Sequence, residues 1–113
     1  MNAVKVYVYV AGPYSIGDKN ENVKKAITAA DELSKIGFVP FVPHLTHYWD
    51  AILPHEYKFW MDYDSQWLKK CDALLRLPGE SKGADLEVQI CKEQIKIPVF
   101  YSVAALEQSY FSL

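Results

Sequence analysis

The sequence predicts an α/β fold, a three-layer, doubly wound, mostly parallel sheet of four to five strands, flavodoxin- or Rossmann-like. Three observations predict it. Short runs rich in β-branched and aromatic residues alternate with segments of helical periodicity, in the order β-α-β-α-β-α-β-α. The strand runs carry little charge, as strands covered on both faces do. Finally, Leu75-Arg-Leu-Pro-Gly-Glu-Ser-Lys-Gly-Ala-Asp-Leu-Glu87 reads as a buried strand, a turn with two glycines and the start of a helix. In a doubly wound sheet that junction lies at the carboxyl edge, where ligands bind.

Each element follows from local chemistry. Val4–Ala11 is a strand with one charge, and Gly12-Pro13-Tyr14-Ser15 breaks it. Asp18–Lys35 is a helix, with Asp18 and Glu21 spaced as a capping box. Its apolar stripe is Val23, Ala26, Ile27, Ala30 and Leu33, its polar face carries Lys24, Lys25, Asp31, Glu32 and Lys35, and Gly37 stops it. Phe38–Val42 is a second strand, and Pro40 places it at an edge. Pro43–Pro54 reads as a long loop of the kind that carries function. His55–Lys70 is a helix, Asp72–Leu77 a strand, Gly83–Gln94 a helix, Ile97–Tyr101 a strand, and Val103 to about Ser109 a short helix.

The 113 residues fit a single domain, 1–113, long enough to form a core without staples. Net charge is −2 and there is no basic run, which argues against a nucleic-acid polymer as partner. No apolar run approaches membrane-spanning length, and no signal peptide opens the chain, so the expected location is cytoplasmic with no membrane partner. Cys71 and Cys91 lie in apolar contexts with no CxxC, as buried free thiols do in a reducing compartment. Three Trp and eight Tyr exceed what a small core needs and predict an aromatic pocket or subunit interface.

Chemistry concentrates in three places. Helical projection puts Lys82, Asp85, Gln89, Lys92 and Lys96 on one polar stripe and Glu87 on the other side with Ala84, Ile90 and Cys91. A carboxylate on a packing face is costly unless paired or used. The helix dipole favours its anion, which suits a nucleophile; the alternative is a cap on a neighbouring loop amide. Ser81 is either a plain N-cap or, with the Gly83 amide, a binder of an anionic oxygen. On the preceding helix Asp64 lies opposite the stripe Lys58, Asp62, Ser65, Gln66 and Lys69, among Trp60, Trp67 and Leu68. It is either a desolvated, easily protonated acid or the partner of Arg76, the one arginine in the chain. One anionic and one protonated carboxyl are what glycosidic cleavage requires. The third place is Tyr9-Val-Ala-Gly-Pro-Tyr14, a strand end able to wrap a ligand; it is neither GxGxxG nor a Walker A loop. His44, His47 and Trp49 lie in the Pro43–Pro54 loop, where stacking on a base or ribose competes with surface or packing roles. No spacing there fixes metal geometry and no HExxH occurs, so neither metal nor other cofactor is expected.

Taken together, Tyr9-Val-Ala-Gly-Pro13, Asp64 ahead of Cys71-Asp-Ala-Leu-Leu75, and Ser81-Lys-Gly-Ala-Asp-Leu-Glu87 resemble the nucleoside 2-deoxyribosyltransferase superfamily over roughly Val4 to Tyr101. The Ser-x-Gly-x-x-x-Glu pattern is similar to that of the 2′-deoxynucleoside 5′-phosphate N-hydrolase branch; the transferase branch usually carries an acid where Ser81 stands. The resemblance implies a retaining N-glycosidase acting on a nucleoside 5′-monophosphate. Glu87 is then the nucleophile, Tyr9 orients it, Asp64 assists departure of the base, and Ser81 and Gly83 hold the phosphate. Gly12, Pro13, Tyr14, His44, His47 and Trp49 are the further expected substrate contacts. A small-molecule nucleotide or nucleoside is the expected partner, in a homodimer or larger homo-oligomer. Transfer between bases, or nucleotide sensing without turnover, are the rival functions.

Overall fold

The first strand, β1 (Tyr7–Ala11), places the side chains of Val8 and Val10 on one face of a sheet and those of Tyr9 and Ala11 on the other, all of them buried. The computed structural model describes residues 5–111, so Val4, the expected start of this strand, lies outside the described residues. β1 pairs in parallel with β2 (Val39–Phe41) and with β3 (Ala73–Arg76), and β3 pairs in parallel with β4 (Val99–Phe100). The order is β2-β1-β3-β4, the doubly wound order, and all four strands are parallel. Pro40 sits on edge strand β2, where its missing N–H breaks no ladder.

Helices cover both faces. Val8, Val10, Ala73 and Leu75 pack against Ala26, Ala30 and Leu33 of α1 (Lys19–Ile36) and Leu106 of α5 (Val103–Phe111). Tyr9, Ala11 and Leu74 pack against Leu68 of α3 (Tyr57–Leu68) and Ala84 of α4 (Lys82–Ile90), with both free thiols, Cys71 and Cys91, buried in the same layer. Asp18 caps α1 by accepting from the amides of Asn20 and Glu21, and Gly37 closes it. Ile27, expected on the apolar stripe, is 43% exposed, because a helix lying on a flat sheet buries a narrower strip than the sequence pattern offers.

The Pro43–Pro54 loop is a correction. Pro43–Thr46 forms a 3₁₀ turn and His47–Ile52 a one-and-a-half-turn helix, α2. The expected third helix ends as α4 at Ile90 and continues as a π turn, Cys91–Ile95, closed by Lys96 in the left-handed region.

Candidate active site

The strand order reverses between β1 and β3, and a cavity of about 530 Å³ lies at the carboxyl ends of the strands there. Its walls come from every expected region: Gly12 and Tyr14 after β1, Pro43 and His44 after β2, Asp64 on α3, and Ser81, Gly83 and Glu87 at the start of α4. Glu87 and Asp64 therefore share one cavity.

Glu87 is 8% exposed, and the hydroxyl of Tyr9, which lies beneath the lining residues and not among them, donates to its Oε2. Tyr9 itself is wholly buried, its ring tilted against Phe41 at 5.6 Å. Burial, with the Glu87 and Asp64 charges, holds the Tyr9 phenol well above its ordinary pKa, so it stays a donor. Burial pushes Glu87 up to about 7; the Tyr9 bond and the Arg76 charge pull the other way, and the Asp64 charge adds to the rise. Glu87 is thus not fully ionised at neutral pH. Desolvation of the buried carboxyl outweighs the Tyr9 hydrogen bond and the Arg76 charge, and Glu87, the sixth residue of α4, lies past the first turn in which a helix end acts.

Asp64 is also pushed to about 7 by burial, and its buried Oδ1 has no hydrogen-bond partner among the described residues. Arg76 is not its partner. The guanidinium donates to the carbonyls of Leu77 and Gly79 and to Asp85 Oδ1 at 2.8 Å, clipping the β3–α4 turn. Asp85, expected to be merely solvated, is thus ion-paired although its side chain is 70% exposed. Because the two acids share one cavity, loss of the first proton opposes loss of the second.

Ser81 is the N-cap of α4, its Oγ accepting from the Ala84 amide at 3.1 Å. A Cβ on Gly83 would meet Tyr57 Oη at 3.5 Å and Met61 Sδ at 3.9 Å, ordinary contacts across the cavity wall. His44 is buried; its Nε2 donates to the Pro13 carbonyl at 3.0 Å, and burial lowers its pKa, so the ring is neutral. His47 and Trp49 stand back from the cavity. His47 Nδ1 meets the Tyr14 hydroxyl at 2.6 Å and so braces a lining residue. Trp49 packs edge-on to Phe59, Trp60 and Tyr63. Pro13 contributes its carbonyl to His44 and its ring to the contact with Gly79.

Several lining residues were not expected: Asp50, His55, Tyr57, Trp60, Met61, Lys19, Glu80 and Lys82. For Tyr57, Trp60 and Met61 a signal existed. They precede Asp64 by seven, four and three residues and share its helix face. For Asp50 the signal was only its place in the Pro43–Pro54 loop near the histidines, because its position depends on accepting the Trp60 indole N–H at 2.6 Å and the His55 amide at 2.9 Å.

Chemically, the arrangement offers an oriented carboxylate, a second carboxyl able to give or take a proton at neutral pH, and a helix N-terminus for an anion. No curated protein matches the chain. A family described as a domain of unknown function, DUF7768, matches residues 6–102, and the chain belongs to that family.

Proposed function

We propose that the protein is an N-glycosidase that hydrolyses the base–sugar bond of a nucleoside 5′-monophosphate, with retention and without a metal. The observation that carries this reading is the convergence, in one nucleotide-sized cavity, of Tyr9-bound Glu87 and the unpartnered Asp64 carboxyl. Tyr9 holds Oε2, and Oε1 of ionised Glu87 attacks C1′ as the C1′–N bond breaks. The bonding pair leaves on the base, which takes the proton of Asp64. Water, giving a proton back to Asp64, then attacks C1′ of the glycosyl ester, freeing Glu87 and the sugar 5′-phosphate. The phosphate rests at the start of α4, near Ser81, Gly83 and Lys82.

The exposed apolar side chains Tyr48 and Ile52 on α2, Leu53 just after it and Tyr57 at the start of α3 suit cover by a second copy of the chain, in a homodimer or larger homo-oligomer. The buried free thiols suit the reducing cytoplasm.

Chromatography of nucleotides and nucleosides incubated with the pure protein tests the activity. Free base and sugar phosphate are expected from a 5′-monophosphate, and Glu87→Ala is expected to lose at least ~10³ of turnover while still binding nucleotide. Unchanged turnover in that variant would sink the role of Glu87. A new nucleoside formed when a second base is supplied would mean transfer, and binding with no release over hours would mean a sensor.

A further inference from the structure

We propose that Asp50 is a specificity-determining residue that selects bases carrying an exocyclic amino group over their oxo counterparts. The inference deepens the nucleotide reading above and rests on it.

Strand order gives the direction in which a nucleotide lies. Ser81–Gly83 follow β3, Glu87 is bonded to Tyr9 on central β1, and His44 and Asp50 follow β2, on the far side of β1 from β3. With the phosphate at the start of α4 and C1′ at Glu87, the base extends toward the β2 end. That end carries the Asp50 carboxylate. Asp50 Oδ1 is held by the Trp60 indole at 2.6 Å and the His55 amide at 2.9 Å, which fixes the plane of the carboxylate; no described residue hydrogen-bonds Oδ2. The same two bonds keep Asp50 below the usual carboxylate range, so it stays an anion. His44 donates through Nε2 to the Pro13 carbonyl and its Nδ1 is buried, so the acceptor open to a base at this end is Asp50 Oδ2. Lys19, the cation at this end, lies over the Tyr14 ring at 5.4 Å and forms no ion pair with Asp50. A fixed carboxylate with one free oxygen accepts from an amino N–H and repels a carbonyl oxygen.

The test is calorimetric titration of the chain carrying Glu87→Gln, which stops turnover, with 2′-deoxyadenosine against 2′-deoxyinosine 5′-monophosphate and with the cytidine–uridine pair. The amino member of each pair is expected to bind roughly tenfold tighter. Adding Asp50→Asn keeps an oxygen for Trp60 and His55 but puts an NH₂ donor where Oδ2 stands; the preference is expected to vanish or invert. Adding Asp50→Ser instead, which removes the charge, is expected to bring the ratio to about one and serves should the Asn chain not fold. Equal binding of each pair by the Glu87→Gln parent, or a ratio unmoved by both substitutions, overturns the role of Asp50 while leaving the nucleotide reading intact. If no monophosphate binds, that reading fails and this inference with it.

Discussion

At the scale of single residues, the cavity stores its chemistry as a stability cost. Glu87 is raised by burial from its ordinary range to about 7. In the unfolded chain it ionises near 4.3, so between those values the folded protein holds a proton that the unfolded chain has lost. Stability therefore falls as pH rises through this window. The full penalty is present above about pH 7 and is gone below the unfolded value. Thermal melts are expected to shift upward when pH drops from 8 to 5. At pH 8, Glu87→Gln is expected to be more stable than the parent by on the order of 1–3 kcal/mol, a gain that shrinks toward pH 5. A melting temperature that is flat with pH and unchanged in the variant would contradict the burial argument. The sequence pattern already showed that Glu87 and Asp64 leave the polar stripes of their helices, because helical periodicity assigns faces. It left open that both acids titrate together, since that depends on their sharing a cavity.

Among the elements, the β3–α4 turn matters most for the site, because it sets where α4 begins. Gly79 there has φ +113, and a Cβ would lie 2.7 Å from Pro13 Cγ. The backbone needs glycine twice over, for the left-handed region and for the close approach of the β1 end. Arg76 closes the same turn through the Leu77 and Gly79 carbonyls and Asp85. Gly79→Ala is expected to lower stability by about 1–3 kcal/mol in a denaturant titration, and to weaken nucleotide binding as the start of α4 shifts. An unchanged midpoint would show that the turn relaxes freely. This turn was readable as a turn from Pro-Gly and the later glycine. The helix α2 was not readable. His47–Ile52 buries no residue, so it carries no apolar stripe for periodicity to detect, and the flanking prolines read as loop.

On the scale of the whole molecule, the order β2-β1-β3-β4 puts the reversal of winding beside Tyr9, and the two halves of the cavity meet there. The aromatic and aliphatic side chains beyond it remain uncovered: Ile52 is 77% exposed and Tyr57 69%. Sedimentation is expected to find a dimer or larger assembly, and Ile52→Lys to shift it toward monomer. A chain that sediments as a monomer at high concentration would rule out the covering copy.

Apart from α2, element types, their order, the edge position of Pro40 and the buried faces of both acids were legible in the chain before folding, because each rests on spacing over a few residues or on one residue's backbone chemistry. Which buried faces meet was not. Tyr9 and Glu87 are 78 residues apart, Arg76 turned to Asp85 rather than to Asp64, and Asp50 was drawn in by an indole N–H on another helix. Local periodicity tells a side chain which way to point. The partner it finds there is set by the packing of strands and helices distant in the chain, which no local pattern encodes.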